Sequence, residues 1–288
     1  MYHYIIDQTR IQTRNFDRLL GEVYGFLTEY QIGGEVHRVT RLRNVPELVD
    51  TARQSGAKTI VAIGDDNNFL QLLELLAEQE GIVLGYIPLV SNTSISHVLG
   101  VRGLEDACQA IAKRRVEDFD IGLVGRNYFF TRVDFGLINN EIRKGSGGIF
   151  SSFGMISKLR LLQSIPVKVS IDGRLELSAN IIAGSVINAR GGIDQKGSAL
   201  FSPHDGKLDL LLLEKRPTRE LIKFRKSIAE GRFEEVPGST VLHGRNFEIE
   251  GPKNFNVLIE QVFLNRSNLS LGVSDKKIRV IVGKGRRG

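Results

Sequence analysis

Hydrophobic positions in the first 120 residues follow two alternating rhythms. Residues 3–6 (HYII) are an apolar run of strand length. Residues 15–30 (NFDRLLGEVYGFLTEY) place Phe16, Leu19, Leu20, Val23, Phe26 and Leu27 on one stripe of period 3.6, which predicts a helix with Asn15 as its N-cap. A second strand is read at 35–39 (EVHRV), a helix at about 45–55 stopped by Gly56, and a strand apolar on both faces at 59–63 (TIVAI). The polar stretch 64–68 (GDDNN) comes next, then a helix from 69 to about 80 that Gly81 stops, then a buried strand at 82–88 (IVLGYIP). Strands apolar on both faces, alternating with amphipathic helices, predict a parallel sheet covered by helices.

The rhythm changes after about residue 118. Short alternating or β-branched segments lie at 119–124, 127–134, 166–172, 175–188, 208–214, 240–249, 255–263 and 277–282, punctuated by Gly, Asn and Asp. They predict an antiparallel β-sandwich. Helices are expected at about 151–163 and about 217–230, the second with Pro217 near its start and Gly231 past its end. The expected fold class is therefore α/β plus β. An N-terminal parallel-sheet α/β domain would occupy 1–130 and an antiparallel β-sandwich domain 131–288.

Composition narrows this picture without changing it. A chain of 288 residues has room for two domains, and 41% hydrophobic with 25% charged residues suits a globular protein rather than a disordered one. Apolar runs such as 210–213 are far shorter than the roughly 18–20 residues of a membrane span. The opening MYHYIIDQTR lacks the layout of a secretory signal, so a cytoplasmic protein is expected, and the Asn-X-Ser/Thr triplets at 92–94, 265–267 and 268–270 carry no glycosylation meaning there. The single cysteine, Cys108, excludes an internal disulfide and a cysteine-based zinc site. A net charge of +6 favours anionic partners. The basic end 276–288 (KKIRVIVGKGRRG) reads as a solubilising tail, and without a nucleic-acid-binding module no nucleic acid is expected.

Two loops carry candidate chemistry. Ligands of an open parallel sheet sit beyond the carboxyl ends of its strands, where helix N-termini present N–H groups to anions. Gly64, Asp65, Asp66, Asn67 and Asn68 hold that place after one strand, and Ser91, Asn92, Thr93, Ser94 and Ser96 after the next. Each loop reads either as a phosphate cradle or as a polar turn whose side chains cap the following helix.

In sequence, these loops resemble the signature of the diacylglycerol kinase catalytic-domain family, which includes sphingosine and ceramide kinases and bacterial lipid kinases. IVAIGDDNNFLQLLELL stands against the family's strand–GGDGT–helix, and IPLVSNTSISHVLGV against its strand ending in PLGTGNDFAR-LGI. The likeness continues through VEDFDIGLVGRNYFFTRVDFGL (116–137), VKVSIDGRLE (167–176), NARGG (188–192), SPHDGKLDLLLLE (202–214) and a closing stretch at 255–283 similar to the family's DGE ending. It covers nearly the whole chain in serial order.

The resemblance implies an ATP- and Mg²⁺-dependent lipid kinase that phosphorylates a hydroxyl such as that of diacylglycerol. Asp66 and Asp120 match acids of the metal and phosphate network, and Glu260 aligns with the family's general base. Residues 64–68 and 91–94 would hold the nucleotide. Asn188, Gly191 and Gly192 match a segment lining the substrate cleft, and Asp205 and Asp209 match a turn that holds a structural cation. An Asp-Gly turn is also ordinary hairpin chemistry, and a glutamate at 260 equally suits a surface strand. The expected partners are a nucleotide and a lipid at an anionic membrane surface, peripheral to its inner face. The sequence leaves monomer and homodimer open.

The departures define the alternative. Asp65, Asn67 and Asn68 replace glycine, glycine and threonine, and the glycines of the second loop are absent. At about 4 Å, a like charge beside a phosphate costs about 4 kcal/mol at an effective dielectric near 20. His97 reads as a surface or capping residue. Losses at both phosphate loops favour a catalytically weakened lipid-kinase fold acting as a nucleotide or lipid sensor. A GGDG loop is also shared with NAD kinases, a third reading.

Overall fold

The computed structural model describes residues 1–7, 15–79, 81–136, 163–191, 201–229, 231–253, 255–260 and 262–286. Gly192 and almost all of the helix expected at 151–163 lie outside them. The chain forms two compact units, one of residues 1–121, 189–205 and 274–288, the other of residues 122–188 and 206–273. The expected division after residue 130 thus differs from the observed one, because later segments return to the first unit.

The first unit begins β1 (Tyr2–Ile6), α1 (Phe16–Glu29), β2 (Gly34–Arg38), α2 (Val45–Gln54), β3 (Thr59–Gly64), α3 (Asp66–Leu76), β4 (Val83–Pro88), α4 (Ser94–Leu99), α5 (Leu104–Lys113) and β5 (Val116–Val124). Its first four strands are parallel in the order β2-β1-β3-β4, with Tyr2 opposite both Gly34 and Thr59, and Thr59 opposite Val83. Every residue of β3 and β4 is buried, as runs apolar on both faces require when helices cover both sides of a sheet. α1 buries Leu20, Val23 and Leu27 of the expected stripe, although Asn15 does not cap it through its side chain. α2 starts on an Asn44–Glu47 capping box that satisfies two end groups reciprocally.

The second unit is antiparallel. It contains β6 (Asn127–Phe129), β7 (Arg132–Gly136), β8 (Ile165–Ile171), β9 (Leu175–Ile187), β10 (Leu208–Glu214), β11 (Ser239–Gly244), β12 (Asn246–Glu250), β13 (Asn256–Ile259) and β14 (Val262–Asn265), with the start of β15 (Asn268–Ile281). β9 is long enough to pair β8 along its first half and β7 and β10 along its second. Asp172 and Gly173 turn β8 into β9 with φ of 52° and 64°, and Arg174 N–H bonds Ile171 C=O at 3.0 Å. Positive φ at both central residues of this Asp-Gly turn suits the twist of a hairpin. Phe129, Phe135, Phe247 and Phe255 anchor the apolar core. The helix expected at 217–230 is two short ones, Thr218–Lys223 and Arg225–Ala229. Among the described residues no helix is long and apolar enough to cross a membrane.

Candidate nucleotide site

The strand order reverses between β1 and β3, and the loop after β3 lies at that switch point, where open α/β sheets take their ligands. The sequence expected a loop at 64–68 and a helix from 69, but α3 already starts at Asp66. Asp65 is its N-cap, with Oδ1 accepting from Asn68 N–H at 3.1 Å and Oδ2 from the Asn67 amide at 3.1 Å. The negative group stabilised at this helix N-terminus is therefore the protein's own.

Gly64 owes its smallness to packing, since a Cβ there would lie 3.2 Å from Asn68 and from the Asp7 carbonyl. Asn68 is fully buried and turned under the sheet, donating to the carbonyls of Ile5 and Ile63 at 3.0 Å each. In place of the expected nucleotide contact, its amide ties β1 to β3.

Asp66 is where the two expected loops meet. It is 5% exposed and accepts from Tyr86 Oη–H at 3.0 Å, and Thr93 and Ile95 of the second loop act on its carboxylate closely enough to favour the charged form. Burial raises its pKa above the usual aspartate value, outweighing these influences. Burial beside Asp66 likewise raises that of Tyr86. Thr93 is the N-cap of α4, with Oγ1 accepting from Ser96 N–H at 3.1 Å. Ser91, Asn92 and Ser94 are exposed, and Asn92 adopts a φ of 58°.

Asp120 is 2% exposed and pairs with Lys277 Nζ at 2.8 Å, so part of the basic end neutralises an acid expected to serve a metal. The same end is anchored further on. Arg286 bonds Glu117 at 2.7 Å and the Val98 carbonyl at 2.8 Å, and its guanidinium lies 4.4 Å from the Phe119 ring centre. Burial alone would raise the Glu117 pKa, but the Arg286 hydrogen bond and charge, with Arg115 and His204, hold it below the ordinary value. Gly191 packs on α4, where a Cβ would come within 2.3 Å of the His97 backbone.

The remaining candidates, in the second unit apart from Asp205 at the end of a first-unit segment, sit in structural surroundings. Glu260, in the β13–β14 turn with φ 52°, accepts from Phe130 N–H at 2.7 Å and Thr131 N–H at 2.5 Å on one oxygen, and from Thr131 Oγ1 on the other. Its carboxylate thus holds the link between β6 and β7, which is a correction to its expected position as an open general base. Asn188 supports the same link, donating to the Phe130 carbonyl at 2.8 Å while its N–H bonds Thr131 C=O. Asp209 is bonded by His243 on the neighbouring strand, and Asp205 is exposed before Gly206, whose φ is 68°. Neither belongs to a group of three metal-ligand side chains among the described residues.

Sequence reasoning missed Asp7, Tyr86 and Lys277. Asp7 is buried at the carboxyl end of β1, a position the switch-point rule could have marked. In the sequence, Tyr86 reads only as strand core and Lys277 only as tail charge.

Residues 9–124 match the family of the diacylglycerol kinase catalytic domain. Diacylglycerol kinases of two Mycobacterium tuberculosis strains, CDC 1551 / Oshkosh and H37Rv, are each 22% identical over 238 residues, covering 77% of this chain and 74% of theirs. A protein from Bacillus anthracis str. Sterne, assigned as a diacylglycerol kinase, has a similar structure, with a TM-score of 0.74 and 18% identity over 98% of this chain and 97% of that one. An NAD kinase from Archaeoglobus fulgidus, solved in complex with ATP, shares the fold at a TM-score of 0.56 and 13% identity, over 99% of this chain and 94% of that one.

Proposed function

We propose that this chain, whose residues 9–124 match the diacylglycerol kinase catalytic-domain family, is an ATP- and Mg²⁺-dependent lipid kinase acting on the hydroxyl of a diacylglycerol-type lipid. The observation that carries this reading is the convergence of both loops on buried Asp66, beyond the carboxyl end of β3. Phosphoryl transfer depends mainly on positioning and charge neutralisation, so a fixed carboxylate at the switch point is the feature it requires. Mg²⁺ commonly takes only one or two protein carboxylates and fills its sphere with phosphate and water, a demand that Asp66 fits. Bound there, the ion would neutralise phosphate charge. Tyr86 fixes the Asp66 carboxylate in place. Glu260 acts as a positioning residue for the 130–131 link, its oxygens being already used. The basic excess draws the protein to an anionic membrane surface that supplies the lipid.

The test is transfer of label from radiolabelled ATP to diacylglycerol in anionic vesicles. The expected result is Mg²⁺-dependent labelled phosphatidate that Asp66→Ala abolishes; absence of label in the intact protein overturns the kinase reading. Asp65 favours a second reading. Its carboxylate occupies the amides that a phosphate would use, which suits a weakened member that senses nucleotide or lipid without turnover. ATP binding without product would select it.

A further inference from the structure

A second cluster of chemistry-bearing side chains lies at the β2 end of the same parallel sheet, away from the residues used above. β2 is the edge strand, and parallel pairing puts His3 of β1 directly opposite Glu35. Side chains alternate along a strand, so Glu35 and His37, two residues apart, share the face on which His3 lies. His3 Nδ1 and His37 Nε2 are 3.4 Å apart, and Glu35 Oε2 lies 3.7 Å from the first and 3.4 Å from the second.

Three lone-pair-bearing atoms crowd together here. One proton on an imidazole nitrogen satisfies one contact of the triangle, and a cation at its centre satisfies all three. The dimensions agree: such a triangle has a point roughly 2.0 Å from every corner, which is about the zinc–nitrogen and zinc–oxygen bond length. Zinc raised about half an ångström above the plane reaches all three at ordinary distances. The His3 ring is fully buried and its Nε2 has no hydrogen-bond partner among the described residues, so its polar chemistry is directed through Nδ1 into the cluster. Glu35 is 41% exposed and His37 12%, which gives an ion an entry path and leaves a coordination position for water.

We infer that His3, Glu35 and His37 form a binding site for a divalent transition metal of the Zn²⁺ class, with three protein ligands and one water. Two imidazoles and a carboxylate suit zinc rather than the all-oxygen sphere of Mg²⁺. The ion would clamp edge strand β2 onto β1. This inference is independent of the kinase reading, because it shares no residue with the Asp66 site.

Isothermal titration of the chelator-stripped full chain with ZnCl₂ tests it, with Co²⁺ as an optical probe of coordination. The expected result is one ion per chain, visible cobalt bands of a low-coordinate nitrogen–oxygen site, and a higher Tm with zinc. His37→Ala and Glu35→Gln should each weaken zinc by at least about 100-fold. These two carry the decision, since replacing buried His3 threatens the fold itself. His243→Ala and Asp66→Asn should bind zinc as the parent does. Absence of stoichiometric zinc binding in the parent, or equal binding in His37→Ala and Glu35→Gln, overturns the site and leaves a hydrogen-bonded His–Glu–His cluster.

Discussion

Asp66 and Glu260 both follow a strand, and both were marked for chemistry by the same resemblance, yet they sit in opposite surroundings. Around Glu260, three donors from one short link use both oxygens, and the residue accepts a left-handed backbone to reach them. Around Asp66, burial outweighs the donors and the pKa rises. A carboxylate whose charge is fully met by local backbone is a fastener. One held under-compensated in a fixed place is available to a cation or a proton.

Removing the fastener should have the largest effect. Glu260→Ala leaves the Phe130 and Thr131 donors without their acceptor and should cost about 2–3 kcal/mol, read by urea unfolding. Glu260→Gln should recover part of that, since an amide oxygen still accepts. A loss of kinase activity with unchanged stability would restore Glu260 as a base and break the contrast.

The Asp66 side is sharpened by pH. Its folded pKa lies above the unfolded value of 3.8, so the folded state holds the proton longer. The Asp66 contribution to stability therefore falls as pH rises from that value through the folded pKa, and is level on either side. Asp66→Asn should gain stability relative to the parent across that window, measured by urea midpoints at stepped pH. A constant difference would contradict the buried, under-compensated carboxylate. Glu117 supplies the opposite sign: its lowered pKa gives stability that is present above 4.5 and lost as pH falls through the folded value. Arg286→Ala should remove part of that acid-side loss.

The smallest effect belongs to the cap. Asp65→Ala should cost about 1 kcal/mol, and Asp65→Gly only a few tenths, because glycine is a tolerable N-cap. Equal stability of all three would mean that the carboxylate is not needed there.

The strands were legible because β3 and β4 are apolar without interruption, and a fully covered parallel sheet leaves no other pattern. The start of α3 was read three residues late, since acidic and amide residues after a strand look the same whether they face a ligand or cap a helix. Pairing partners were not legible at all. Tyr86 for Asp66 and Lys277 for Asp120 are brought close by sheet register, and linear spacing does not encode that. The His3–Glu35–His37 cluster escaped for the same reason, being separated by an entire βαβ crossover.

Calorimetric titration with ATP, with and without Mg²⁺, on the parent, Asp66→Ala and Asp65→Gly tests the central claim most directly. The account predicts Mg²⁺-dependent binding that Asp66→Ala abolishes and Asp65→Gly strengthens about tenfold or more, as the competing carboxylate leaves the helix N-terminus. Binding that is indifferent to both substitutions, or no binding up to millimolar ATP, would contradict a nucleotide site at residues 64–68.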